Sequence, residues 1–235
     1  MIEIVFFDAG GTILDAHPSF SGLFGKVCRD AGFDVTDDDV AAVQGRIAPH
    51  LMDLEPQDGA PSYAGSSFSA EKARAFWTHF YERVLTELEL PLDLAPSLFD
   101  TFTDPSSYKL FEDVRPCMDA LRSADKRIGL ISNFESWLEE MLVELEMGDI
   151  FDVAVISGHE GIEKPDVAIY EIALEKAHVS GGSAVHVGDS PTYDAEPASE
   201  AGIHPVLIDR AGRYPEAEWP RLPSLEGLPD LVAKM

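Results

Sequence analysis

Five short runs along the chain are apolar on successive positions rather than on alternating ones: 2–7 (IEIVFF), 127–132 (RIGLIS), 153–157 (VAVIS), 184–189 (AVHVGD) and 204–209 (HPVLID). Such runs predict strands buried on both faces. Between the last four, the apolar spacing lengthens to that of a helix. Over 136–147, Leu138, Met141, Leu142 and Leu145 form one stripe. Over 166–177, Val167, Ile169, Tyr170, Ile172, Ala173 and Leu174 repeat the pattern. The segment 194–202 reads as a short helix with Gly202 as its stop. Strand–helix alternation implies an α/β fold: a parallel sheet joined by right-handed crossovers.

The first strand breaks the alternation, because a long helical stretch separates it from the second. Helices are expected at 18–31, 37–54, 69–89 and 94–103, with a Gly/Pro/Ser-rich break at 57–67. Ser69 opens the third helix with a partial capping box, since position 72 is Lys rather than Glu or Gln. A stretch of this length is an inserted helical module at about 16–108 rather than a linker. The aromatic residues Phe76, Trp77, Phe80 and Tyr81 fall at helical spacing and are expected in the core of that module. Sequence at 110–122 returns to the α/β part with one helix, and the proline-rich tail at 213–235 reads as irregular with a short final helix.

Composition narrows the partners. The chain has 235 residues, 45% of them hydrophobic, and carries a net charge of −26. A surface that acidic repels nucleic acid and anionic lipid, so neither is expected as a partner. It also makes each of the 17 basic residues informative wherever one falls beside a motif. No apolar run approaches the ~18 residues of a membrane span. The first strand begins with no basic leader ahead of it, and a cytoplasmic monomer or homodimer is expected. Cys28 and Cys117 lack metal-binding spacing and read as free buried thiols.

In an open parallel sheet, ligands bind at the carboxyl ends of the strands. The first strand delivers Asp8, then Gly10 and Thr12; the second delivers Ser132 and Asn133. After the third comes Lys164, and the fourth delivers Asp189, Ser190 and then Asp194. Only the last strand end adds no group. Each residue alone would pass for a turn or helix-capping residue. Together they put three carboxylates, a lysine and small hydrogen-bond donors on one rim. Crowded carboxylates repel unless a cation sits among them, and oxygen ligands suit Mg²⁺. Lys164, Ser132, Asn133, Thr12 and the backbone N–H groups of the glycine turn could then hold a phosphate. His159, His186 and His204 flank strands and read as structural, and Trp137 as packing.

The stretches FFDAGGTIL, LISN, EKPD and HVGDSPTYD resemble, in order and spacing, the four motifs of the haloacid dehalogenase (HAD) superfamily. The glycine-rich first motif and GHEGIEKPDVAIYEIAL look most like its REG-2-like branch. The resemblance implies a Rossmann-like sheet of order 5-4-1-2-3, a core of 1–15 and 109–235, and a helical C1 cap at 16–108. It also implies Asp8 as covalent nucleophile, Ser132 and Lys164 binding the transferred group, and Asp189 with Asp194 at the Mg²⁺ end. The substrate it implies is a small phosphorylated molecule.

One position departs from that pattern. Phosphatases of the superfamily read Asp-x-Asp-x-Thr, and their second Asp protonates the leaving alcohol and later activates water. Here that position is Gly10. Its carbonyl can still ligate Mg²⁺, as the family's second position does through its main chain, but the proton donor is gone. Four readings stay open. The first is a phosphatase that is slow or uses good leaving groups such as acyl or aryl phosphates. The second is a 2-haloacid dehalogenase, whose halide needs no proton, although the presence of both Asp189 and Asp194 argues against it. The third is a phosphonatase-like enzyme, which needs a cap lysine; the insert offers only Lys26 and Lys72. The fourth is a ligand-binding or interaction protein without turnover. His17 or a water is a candidate replacement for the acid.

Overall fold

The computed structural model describes residues 1–47 and 63–235, which divide into two compact units: Met1–Asp15 with Leu110–Met235, and Ala16–Lys109. The first unit holds a six-stranded sheet. Its strands are β1 (Ile4–Phe7), β4 (Arg127–Ser132), β5 (Val153–Ile156), β6 (Ala184–Gly188), β7 (His204–Ile208) and β8 (Arg221–Leu222). Their order is β5-β4-β1-β6-β7-β8, with every neighbouring pair parallel. β1 is central, and Ile4, Val5, Phe6 and Phe7 have no exposed surface. Central placement buries both faces of the strand, which is why its sequence does not alternate. One face packs Ile4, Phe6, Ile131 and Val155 against Ile169, Tyr170, Ala173 and Ala177 of helix α8 (Ala168–Ala177).

Several elements differ from the sequence expectation. The helix expected over 136–147 is shorter, α6 (Leu138–Glu144). The helix expected over 194–202 is a π turn, Pro191–Ala195, followed by the short helix α9 (Glu196–Glu200). The tail carries β8 as well as the final helix α10 (Leu228–Val232). Two residues of strand are too few to show a period; Leu207 N donates to Pro220 O at 2.8 Å and Asp209 N to Leu222 O at 2.8 Å. The remaining helices of this unit are α5 (Val114–Ser123) and α7 (Ser157–Glu160).

The second unit is a helical module of α1 (Phe20–Asp30), α2 (Asp37–Ile47), α3 (Ala70–Glu87) and α4 (Ala95–Phe102). Its core joins Phe24, Cys28 and Val40 to Phe80, Tyr81, Val84, Leu85, Leu98 and Phe102. Phe20 stacks on Phe102 at 4.8 Å, and Tyr81 on Phe102 at 5.3 Å. Ser69 caps α3 by accepting from Lys72 N at 3.2 Å. The C-terminal part of the helix expected over 37–54 and the first part of the break at 57–67 lie outside the described residues. Two three-residue strands that no periodicity reveals, β2 (Leu14–Ala16) and β3 (Tyr108–Leu110), pair as a separate two-stranded sheet. Cys28 and Cys117 are free and buried. Among the described residues no helix is long and apolar enough to cross a membrane.

The β1–β4 register sets Gly129 opposite Phe6. A Cβ at 129 would stand 2.3 Å from Phe6 Cδ1, and the buried ring has no room to retreat. We expect Gly129→Ala to cost about 1–3 kcal/mol by overpacking, read as a lower urea midpoint. A midpoint equal to the wild type's would show that the ring can move.

Candidate functional site

The carboxyl ends of β1, β4 and β6 bring the sequence-predicted groups together. Asp8 follows β1 directly, and its N–H extends the ladder by donating to Val187 O at 2.8 Å. The chain then turns sharply, with the N–H groups of Ile13 and Leu14 both donating to Ala9 O at 2.9 and 3.1 Å. Gly11 makes the turn possible: its φ is +73°, and a Cβ there would lie 2.6 Å from Asp189 Oδ2. Gly10 is different. It is exposed, and among the described residues no atom lies within 4 Å of where its Cβ would stand.

Lys164 is the hub. Its ammonium is 4% exposed and donates to Asp8 Oδ1 and Asp194 Oδ1, both at 2.6 Å. Burial works against its charge, but the Asp194 and Asp8 carboxylates outweigh that and hold it protonated well above its ordinary range. Asn133 supports it from behind. Lys164 N donates to Asn133 Oδ1 and Asn133 Nδ2 donates to Lys164 O, each at 2.7 Å. Asn133, expected from the sequence as a substrate contact, has both ends of its amide engaged by the Lys164 backbone, because the turn after α7 comes alongside the end of β4. Ser132 Oγ donates to Asp8 Oδ1 at 3.2 Å. Asp8 Oδ2 therefore stays without a hydrogen bond among the described residues. Thr12 is buried, and its Oγ1 has no partner among the described residues.

Asp194 sits on the π turn, a bulged geometry that recurs at functional sites. Its Oδ2 accepts from Ser190 N at 3.0 Å, and Tyr170 Oη donates to Tyr193 O at 2.7 Å to brace the turn. Gly188 is required beside it, since a Cβ there would lie 2.1 Å from Asp194 Cγ. His186, read from the sequence as structural, belongs to this network: it is fully buried, with Nε2 3.0 Å from Asp194 Oδ1. A lone histidine inside a strand gave no sign of facing the site, because the strand alternation that aims it there is masked by burial on both faces. Burial pushes the Asp194 carboxyl up, but the Lys164 ammonium and the His186 bond more than offset it and hold the group below the ordinary carboxylate range.

Asp189 completes the rim. One oxygen from each of Asp8, Asp189 and Asp194 lies within 4.8 Å of the others. Burial and then the Asp194 and Asp8 charges push the Asp189 carboxyl up to about 7, and Arg213 and Lys164 offset this only in part. The Asp8 carboxyl is raised too, by burial first, against the pull of Lys164. Three carboxylates facing one lysine leave unbalanced negative charge, and the donor set is all oxygen, so these residues fit a hard divalent cation.

The end of β7, expected to add nothing, also contributes. Buried Asp209 accepts from Arg213 N at 2.7 Å, Tyr214 N at 3.0 Å and Arg221 Nη1 at 2.9 Å. Arg210 donates to both oxygens of Asp113, at 2.8 and 3.0 Å, and to Thr12 O at 2.9 Å. Arg213 Nη2 reaches Asp189 Oδ2 at 3.4 Å. The scarcity of basic residues in so acidic a chain was the available signal for Arg210 and Arg213, but no motif marked them.

The model of the haloacid dehalogenase-like hydrolases matches residues 2–202. Haloacid dehalogenase-like hydrolase domain-containing protein 3 of Mus musculus is 29% identical over 138 residues, 59% of this chain and 55% of that protein. The chain thus spans about half the length of that relative, whereas the Danio rerio protein of the same name is 30% identical over 100% of this chain and 96% of its own. The rhythmically expressed gene 2 protein of Drosophila melanogaster is 33% identical over 35% of this chain and 33% of that protein. Glyceraldehyde 3-phosphate phosphatase of Methanothermobacter thermautotrophicus is 28% identical over 89% of this chain and 86% of that protein. Among solved structures, the magnesium-bound putative HAD-hydrolase YfnB of Bacillus subtilis shares the fold at a TM-score of 0.77, with 16% identity over 98% of both chains. With its motif residues gathered on one rim of a parallel sheet and its family model spanning all of them, the chain belongs to the haloacid dehalogenase-like hydrolases.

Proposed function

We propose that this chain is a Mg²⁺-dependent phosphatase that acts on small phosphorylated molecules with good leaving groups, through a phosphoryl group carried on Asp8, and that Ala16–Lys109 serves as its C1 cap. The observation that carries the reading is the asymmetric holding of Asp8: Lys164 and Ser132 fix Oδ1 and leave Oδ2 free. A nucleophile oriented through one oxygen attacks with the other. Relatives named as phosphatases support the phosphoryl class.

Asp8, Asp189, Asp194 and the Gly10 carbonyl would hold the cation, which would neutralise phosphate oxygens beside Asp8 and orient them. The chain's own residues do the rest. Asp8 Oδ2 attacks phosphorus, a P–O bond to Asp8 forms, and the bond to the leaving oxygen breaks. Lys164 neutralises the Asp8 carboxylate and the transferred phosphate, and Ser132 and Thr12 hydroxyls offer hydrogen bonds to it. Asn133 and Asp194 keep Lys164 in place. Water then splits the acyl phosphate, releasing phosphate and restoring the carboxylate. Gly10 supplies no proton, so the leaving oxygen departs as an anion or takes its proton from solvent. This favours acyl and aryl phosphates over alkyl ones, because general acid–base help is worth ~10²–10⁴-fold.

Asp8→Asn is expected to reduce Mg²⁺-dependent hydrolysis of p-nitrophenyl phosphate to background; a retained wild-type rate removes Asp8 as nucleophile. Haloacid dehalogenation, which the missing acid equally permits, separates as chloride release from 2-chloropropionate in EDTA.

A Cβ at position 10 would meet no atom of the described residues within 4 Å, so Gly10→Asp starts from open space. It is expected to raise the rate on alkyl phosphates by about 10²-fold and to change the aryl rate little. An unchanged alkyl rate in a folded variant would count against the assigned role of position 10.

Without cation, Asp189 gives a distinct pH dependence. Its folded value of about 7 lies above its ordinary value of 3.8. Between these values the unfolded chain has released its proton and the folded chain has not. Its contribution therefore destabilises the fold as pH rises through that window, by up to about 1.4 kcal/mol per unit. In EDTA, urea midpoints between pH ~5 and ~7 should fall more steeply for the wild type than for Asp189→Asn. Equal slopes would show that Asp189 ionises normally.

A further inference from the structure

Arg213 lies outside the four motifs, yet the fold fixes its place beside them. Asp209, whose side chain is fully buried, accepts from the backbone N–H groups of Arg213 and Tyr214 and so shapes the turn after β7. Gly212, at φ +67°, supplies the left-handed residue of that turn. Arg210 ties the same turn to the catalytic one by donating to Thr12 O while its guanidinium lies 3.8 Å from the Phe111 ring centroid. The Arg213 backbone is thus braced on both sides, while its side chain reaches out with the guanidinium 5.7 Å from the Tyr214 ring centroid.

That side chain is 60% exposed and holds Asp189 by a single contact of 3.4 Å. The geometry is monodentate and open to solvent, the kind of ion pair that contributes least to stability. Lys164 shows the contrast: it is 4% exposed and bonded to both Asp8 and Asp194 at 2.6 Å. One cation is locked, and the other is loosely placed at the rim carboxylate. A molecule of net charge −26 repels an approaching phosphate, so a second mobile cation at the site has an electrostatic task.

We propose that Arg213 exchanges partners: it is the counter-ion of Asp189 when the site holds no metal, and when a divalent cation takes Asp189 the released guanidinium binds an anionic oxygen of the incoming phosphate. Cation loading and phosphate capture are thereby coupled through one side chain. A guanidinium suits this role because its planar fork matches phosphate oxygens. The coupling has a definite sign. Arg213 competes with the cation for Asp189 and cooperates with the phosphate.

The inference rests on the cation site proposed above, and calorimetric titration separates the two. Mg²⁺ is titrated into cation-free wild type and Arg213→Ala, and then inorganic phosphate is titrated at saturating Mg²⁺. We expect Arg213→Ala to bind Mg²⁺ about two- to fivefold more tightly and phosphate about tenfold more weakly. A loss of fold would weaken both affinities, whereas losing one positive charge far from the site would shift them in these same two directions only slightly, because salt screens it. Lys234→Ala removes the same charge at an exposed position, and is expected to leave both affinities within about twofold. Should the alanine variant fail to fold, Arg213→Gln keeps the backbone donor to Asp209 and reads the same two quantities. If the wild type binds Mg²⁺ and phosphate and the variant binds either one with unchanged affinity, partner exchange is overturned and the cation site stands. If the wild type binds no Mg²⁺, both fall together.

Discussion

A buried ammonium between two carboxylates organises this molecule. Lys164 comes from the turn after α7, Asp8 from the end of β1 and Asp194 from the π turn after β6, and none is tolerable at its depth without the others. Removing a charge from water costs several kcal/mol, and a buried pair offsets that only with good geometry and further hydrogen bonds. Here the 2.6 Å contacts on both sides, the Asn133 clamp on the Lys164 backbone and the His186 bond to Asp194 supply them. The arrangement serves register as much as stability. Slipping any of the three segments would strand a charge, so the hub fixes their relative heights.

The hub also divides the acidic groups into two kinds. Asp194 is satisfied by protein partners on both oxygens and held below the ordinary carboxylate range, so it is a fixed anion that anchors Lys164. Asp8 is half satisfied, with one oxygen held and one free. Among the described residues Asp189 has a single loose partner in Arg213, and burial with the neighbouring carboxylates pushes it up to about 7. Moving from Asp194 to Asp8 to Asp189, structural commitment falls and availability to a ligand rises. That gradient, rather than the mere count of carboxylates, separates three residues of one type by how far each is committed to its protein partners.

Much of this was legible before any coordinates. The unbroken apolar runs identified the sheet because a central strand buries both faces, and the groups at their carboxyl ends identified the rim. Helices of the inserted module followed from their apolar stripes and from Ser69. What stayed hidden has physical reasons. β2, β3 and β8 are three residues or fewer, below one readable period. The π turn at Pro191–Ala195 looked like an ordinary helix start because its departure lies in backbone hydrogen bonding, not composition. His186 was set aside because a residue inside a doubly buried strand does not announce which face it takes. Asn133 sits beside Ser132 at the strand end, and only the path of a segment thirty-one residues later shows that its amide meets the Lys164 backbone. Arg213 stands on a local turn built by Asp209, but its reach to Asp189 joins two different strand ends, which sequence spacing does not encode.

The two glycines of the first motif look alike in sequence and differ in kind. Gly11 is required by geometry: its positive φ disfavours any side chain, and a Cβ would collide with Asp189. Gly10 meets neither condition. Its backbone is not in the left-handed region and the space around its missing Cβ is open among the described residues. Packing therefore gives no reason for glycine at position 10. Fold and sterics leave position 10, two residues after Asp8, unconstrained among the described residues. Under the mechanism proposed above, its lack of a side chain leaves no proton donor there while the Lys164 hub, the carboxylate rim and the Ser132 and Thr12 hydroxyls remain in place. On that proposal the site would keep what is needed to hold and transfer a phosphoryl group and lack what helps a poor leaving group depart. Substrate choice would then be governed first by the leaving group and only then by shape.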